Sequence, residues 1–136
     1  MRVEELVENF EILEDWEDRY ALLIELGDAL PPMPEALKVA ATKVEGCMSQ
    51  VWLVAGPTPT GALHIQADSD ARIVKGLIAV LFVAYQDQPP AAIHAFDIEG
   101  LFRQLGLDRH LSLNRRNGFA AMVQRIRQIA ALTAAS

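Results

Sequence analysis

The sequence predicts an α+β fold, a small antiparallel sheet of about three strands covered by helices. Three observations carry this. Apolar residues recur at helical spacing on both sides of the chain's middle, most cleanly at Val74, Leu77, Ile78, Leu81, Phe82 and Tyr85. Two β-rich runs lie between, at 51–55 and 62–67, the second alternating with period two. The segment joining them, Gly56-Pro57-Thr58-Pro59-Thr60-Gly61, is turn-forming, so the pair reads as a hairpin. At 136 residues, with no repeat and no linker, the chain reads as one domain over 1–136.

The elements follow in order. Val3, Leu6, Val7 and Phe10 make a short amphipathic helix. Asp15 is positioned to cap a second, with Trp16, Tyr20, Leu23 and Leu30 near one face. Leu30-Pro31-Pro32-Met33-Pro34 stops it, and Pro34 can start a third helix through about Ala41. Residues 43–46 offer a third strand beside the hairpin. After Asp68-Ser69-Asp70, which supplies N-caps, comes the most apolar helix, expected to pack behind the sheet and to end at Pro89-Pro90. Helical stretches near 90–96 and 98–105 precede a long final helix from about Arg115 to Ala131, with Met122, Ile126, Ile129 and Ala130 inward.

Charge is unevenly placed. The net charge is −6, yet residues 1–28 hold ten acids against Arg2 and Arg19, and residues 99–136 hold six arginines against Glu99 and Asp108. Two solvated faces that attract each other when packed are the simple account, and docking surfaces for a partner protein the sharper one. The acidic balance argues against nucleic acid as the main partner. The start, Met1-Arg2-Val3-Glu4-Glu5, is unlike a secretory leader, and the apolar stretch from Gly76 to Tyr85 is too short to span a bilayer. A cytoplasmic protein with no membrane partner is expected, monomeric because no exposed apolar stripe stands out.

One cysteine excludes an internal disulfide, a CxxC redox pair and a cysteine-ligated cluster. Cys47 is the one evident nucleophile, directly after Gly46 and just before a strand, where a loop tip is expected. A free cysteine is most often a small buried hydrophobe, and that reading stands beside the nucleophilic one. A Cys-His hydrolase needs an oriented histidine base, but His64, His94 and His110 lie in no local signature. No ligand spacing supports a metal and no glycine-rich loop supports a nucleotide, so neither metal nor bound cofactor is expected.

The segment Val44-Glu45-Gly46-Cys47-Met48-Ser49-Gln50-Val51-Trp52 resembles the VxGCxSQVW motif of the SufE family of sulfur-acceptor proteins. Asp15-Trp16-Glu17-Asp18-Arg19-Tyr20, with Leu23-Ile24-Glu25-Leu26-Gly27 and Leu30-Pro31-Pro32, resembles that family's N-terminal helices. Asp68-Ser69-Asp70-Ala71-Arg72-Ile73-Val74-Lys75-Gly76-Leu77-Ile78-Ala79 is similar to its central SDAxIVKGLIA segment. Leu105-Gly106-Leu107, His110-Leu111-Ser112 and Arg115-Arg116-Asn117-Gly118 resemble its C-terminal block. Two positions depart from the pattern: Leu113 stands where many members have proline, and Met48 where glutamine is frequent.

The resemblance implies a fold shared with the scaffold protein IscU. It also implies a role as accessory to a pyridoxal-phosphate cysteine desulfurase of the SufS type, rather than as a stand-alone enzyme. Cys47 would accept persulfide sulfur, stimulate the desulfurase and deliver sulfur to an iron–sulfur scaffold complex of the SufBCD type. The pyridoxal phosphate belongs to the desulfurase. Transpersulfuration resembles thiol–disulfide exchange, so a single thiol suffices. The expectation is that Cys47 rests in an apolar pocket and swings outward about Gly46 when the partner docks. Glu45, Met48 and Gln50 are either partner contacts or ordinary loop and strand-end residues. Asp70 is either a helix N-cap or a border of the cysteine pocket. Arg115 either meets the desulfurase and draws the thiolate form, or caps and pairs locally. Two other classes stand as alternatives: a regulatory module of a desulfurase that carries no sulfur, and a one-cysteine peroxidase.

Overall fold

The computed structural model describes residues 1–134. Helix α1 is Val3–Ile12 and α2 is Trp16–Asp28; two 3₁₀ turns, Glu35–Leu37 and Ala40–Thr42, lead to strand β1, Val51–Pro57. Strand β2 is Leu63–Ser69, followed by α3 Arg72–Tyr85, α4 Pro90–Ala95, α5 Ile98–Gln104, α6 Leu107–His110 and α7 Leu113–Ala134. The class is α+β, as the periodicities predicted.

The two strands pair antiparallel from Val51↔Ser69 to Pro57↔Leu63. Alternation sends Val51 and Leu53 of β1, with Leu63, Ile65 and Ala67 of β2, into the core. The outer edge of β2 is covered by the end of the central helix rather than by a strand. The Gln86 side chain accepts from Ile65 N–H at 2.7 Å and donates to Ile65 C=O at 2.8 Å, and Leu63 bridges Gln88. On the β1 side the expected third strand shrinks to one bridge, Lys43↔Trp52, with Val44 N–H donating to Val51 C=O at 2.8 Å. Gly46, at φ +91°, turns the chain away before more pairing can form.

The helix expected over 34–41 is likewise broken into the two 3₁₀ turns. Lys38 leaves the helical path, and its ammonium meets Asp68 at 2.7 Å and Glu35 at 2.8 Å while lying 5.7 Å over the Trp52 ring. The Thr42 hydroxyl, donating to Leu37 C=O, competes with a continuous helix. These contacts fasten the segment ahead of Cys47 to the sheet. Burial alone would raise the Asp68 carboxyl, but hydrogen bonds from Lys38 and Ser69 N–H, with the charges of Lys75 and Lys38, hold it below the usual range.

Ten of the fourteen residues of α3 are buried, which makes it the centre of the core. Helix α2 crosses it at a pair of glycines. A Cβ on Gly27 would lie 2.5 Å from Gly76 N, and a Cβ on Gly76 would collide with the Leu23 carbonyl. Two backbones in contact this closely leave no room for a methyl group. The acidic and basic ends of the chain also meet, but not through the attraction expected of their charge. Among the described residues no ion pair joins an acid of 1–28 to an arginine of 99–134. Instead Arg19 donates to Leu13 C=O at 2.8 Å and to Leu105 C=O at 3.2 Å, and Trp16 stacks on His110 at 4.4 Å.

The C-terminal region holds one element that periodicity did not announce, the single-turn α6. Helix α7 begins earlier than expected, at Leu113, with Ser112 Oγ accepting from Arg115 N–H at 3.3 Å. Leu113 therefore occupies the first helical position, where proline fits without losing a hydrogen bond.

Two stability measurements test this packing. Gly76→Ala should lower the unfolding free energy by about 1–3 kcal/mol in urea titration, the usual cost of overpacking; an unchanged midpoint would contradict the close crossing. Leu113→Pro should raise stability by about 0.4–1 kcal/mol, because the unfolded chain loses freedom at a position already pre-set for proline.

Candidate functional site

Cys47 sits on a loop pinched at its base. On the strand side, Val44 N–H pairs with Val51 C=O. Gln50 is held to the end of β2 by three bonds. Its N–H donates to Asp70 Oδ1 at 3.0 Å, and its carbonyl accepts from Ser69 Oγ at 2.7 Å and from Asp70 N–H at 3.3 Å. At the tip, Gly46 takes its left-handed φ close to the Ala121 side chain, and the next residue turns its sulfur inward.

The thiol is half-buried and donates to Gly118 C=O at 3.6 Å, a weak bond through a sulfur donor. It lies in a cavity of about 200 Å³ between the loop, α3 and the first turns of α7. Val74 and Leu77 of α3, with Phe119 and Met122 of α7, make its apolar wall. Ser112, Asn114 and Arg115 make its polar rim. Gly118 lies directly against the sulfur: a Cβ added there would stand 3.5 Å from Cys47 Sγ, an ordinary van der Waals contact. Burial pushes the thiol above its ordinary pKa, since removing water disfavours the thiolate.

The expected site residues separate into three groups. Cys47, Met48 and Arg115 line the cavity; Met48 is 82% exposed, and the half-buried Arg115 makes no ion pair among the described residues. Glu45, Gly46 and Gln50 belong to the loop but not to the cavity wall, and all three are exposed. Asp70 neither caps α3 nor borders the cavity. The N-cap of α3 is Ala71, without a side-chain bond, and the Asp70 carboxylate holds the loop end instead. Helix capping lost because the same carboxylate satisfies Gln50 N–H across the turn.

Sequence reasoning missed Val74, Leu77, Gly118, Phe119 and Met122 as walls of the site. Gly118 lies in the C-terminal block and Val74 and Leu77 in the central segment, Met122 reads only as core, and Phe119 carries no expectation in the sequence. The three histidines stand apart from the thiol. His64 Nδ1 pairs with Asp87 at 2.8 Å, His94 is exposed on α4, and His110 closes α6 against Trp16. Among the described residues no three His, Cys, Asp or Glu side chains gather as metal ligands, and no helix is long and apolar enough to cross a membrane.

These features define a small α+β domain built around one sheltered thiol on a loop. The chain belongs to the SufE family, the Fe-S metabolism associated domain, which matches residues 4–130. It is 42% identical to an uncharacterised SufE-like protein of Rhizobium etli, over 98% of this chain and 93% of that protein. Its fold is similar to the solution structure of a hypothetical protein from Thermus thermophilus, with TM-score 0.80 and 21% identity, over 98% and 96% of the two chains.

Alkylation of Cys47 by iodoacetamide against pH checks the environment of the thiol. Only the thiolate reacts, so the rate should climb with a midpoint above about 8.5, the value of a free cysteine. The native state keeps its proton longer than the unfolded chain. This stability contribution is therefore complete below the unfolded pKa and lost as pH rises through the folded one. A midpoint at or below the free value would contradict a thiol sheltered in an apolar cavity.

Proposed function

We propose that this protein is a sulfur carrier in iron–sulfur metabolism, with Cys47 as the residue that carries the sulfur. The observation that supports the reading best is the single thiol of the chain, sheltered against Gly118 on a loop fixed at its base and lightly held at its tip. A partner persulfide, held on the active-site cysteine of a pyridoxal-phosphate cysteine desulfurase, is the donor. The Cys47 thiolate attacks the outer sulfur. A bond forms from Cys47 Sγ to that sulfur, the partner's sulfur–sulfur bond breaks, and the partner's cysteine leaves as a thiolate that takes up the proton lost by Cys47. One thiol and one persulfide become one persulfide and one thiol, so no oxidant is consumed.

The resting protonation of Cys47 has a purpose in this scheme. A neutral, half-buried thiol is a poor target for peroxide, so it is preserved until the partner arrives. Docking against the exposed Glu45 and Met48 would draw the tip outward about Gly46, at the cost of one weak S–H···O bond. Outside the cavity the sulfur gains water and the nearby Arg115 guanidinium, both of which favour the thiolate. The sulfur then passes by the same exchange to an acceptor in iron–sulfur cluster assembly, a scaffold complex of the SufBCD type.

Intact mass after incubation with a cysteine desulfurase and cysteine tests the proposal. The wild-type chain should gain one sulfur atom, removable by reductant, and Cys47→Ser should gain none. No gain with an active desulfurase, or an equal gain on the serine variant, would overturn it.

A further inference from the structure

Among the described residues Ser69 is the one polar residue that the core buries, at 6% exposed. Strand β2 sends Leu63, Ile65 and Ala67 inward ahead of it, so the alternation that places Ser69 there suits a small apolar side chain. A hydroxyl in such a place is a cost unless it is hydrogen-bonded. Here both of its capacities are used. Ser69 Oγ donates to Gln50 C=O at 2.7 Å and accepts from Ala71 N–H at 3.2 Å.

The two partners belong to different walls of the thiol cavity. Gln50 ends the loop that carries Cys47. Ala71 is the N-cap of α3, whose first turns bring Val74 and Leu77 to the apolar wall. The strand ladder stops at this point, with Val51↔Ser69 its last pair. Beyond it Gln50 is held by the Ser69 hydroxyl, by the Asp70 carboxylate and by Asp70 N–H at 3.3 Å. The Asp70 carboxylate reaches only the loop, whereas Ser69 Oγ is bonded to the loop and to the helix cap at once.

We propose that Ser69 is a positioning residue for Cys47. Its hydroxyl fixes how closely the thiol-bearing loop sits on α3, and so how far the sulfur is withdrawn from water. That a persulfide is sheltered in the same way rests on the sulfur-carrier reading; the setting of the thiol does not. Without the hydroxyl, Gln50 C=O keeps only the longer bond from Asp70 N–H, and Ala71 N–H loses its acceptor, so water enters between loop and helix. Arg115, the charged residue of the cavity wall, lies on α7 and is untouched by this change. A shift in the titration of the thiol therefore reports its burial.

Alkylation of Cys47 by iodoacetamide against pH, on the full chain, tests this. Ser69→Ala should bring the midpoint down toward about 8.5, the free value, and raise the rate near neutral pH by about threefold or more. Ser69→Thr, which keeps the hydroxyl, should titrate as the wild type does. So should Ile65→Val, a core truncation on the same face of β2. After loading by a cysteine desulfurase, Ser69→Ala should lose its sulfur to dithiothreitol about threefold faster or more than wild type. The alkylation needs no desulfurase, so a chain that shows the shifted midpoint but cannot be loaded sinks the carrier reading and leaves this one standing. A midpoint unmoved in Ser69→Ala, or moved as far by Ser69→Thr or Ile65→Val, overturns the proposal. Hydrogen exchange on the wild type decides the matter even if the alanine variant does not fold: the Ala71 amide should be protected, and exchange at the rate of an unstructured chain overturns the proposal as well.

Discussion

The crossing of α2 over α3 at Gly27 and Gly76 is the constraint on which the rest of this structure depends. Backbone meets backbone there, so the position of α3 is fixed by main chain rather than by adjustable side chains. Everything else is built on α3. Its inner residues close the sheet, its C-terminal extension supplies the Gln86 side chain that finishes the edge of β2, and its first turns give Val74 and Leu77 to the wall around Cys47. A shift of α3 by even an ångström would be felt at the thiol, because well-packed interiors transmit displacement.

The Cys47 loop combines a rigid base with a light hold at its tip. Gln50 makes three hydrogen bonds to Ser69 and Asp70, and Val44 pairs with Val51, so the ends of the loop do not wander. The tip has only a long S–H···O contact to Gly118 and the packing of Gly46 beside Ala121. The left-handed backbone at Gly46 lets the sulfur face inward without a steric penalty. Shelter and accessibility are thus set by different residues, and each can change without undoing the other.

Charge plays little part in joining the two ends of the chain. The acidic helices and the arginine-rich end meet through Arg19 on the Leu105 carbonyl and through the stacked rings of Trp16 and His110. Exposed ion pairs would add little to such a seam, since water and salt screen them. Most of the charge therefore stays on the surface, where it can steer encounters instead of holding the fold.

The sequence by itself determined the class of fold, the hairpin, the central helix and the suspect thiol. These rest on local signals: period-two alternation at 62–67, the helical stripe from Val74 to Tyr85, turn residues at 56–61, and a lone cysteine after a glycine, within motifs that resemble one family. Expectations failed where a distant group competed with a local preference. Lys38 left its helix for Asp68, the strand at 43–46 ended at Gly46, and Asp70 gave its carboxylate to Gln50 rather than to the helix beside it. Only the tertiary structure decided how Cys47 is surrounded. Val74, Leu77, Phe119 and Met122 carry no mark in sequence that separates a wall of the site from ordinary core, because a cavity is defined by which helices approach one another, and that choice is made by contacts such as Gly27 on Gly76 far along the chain.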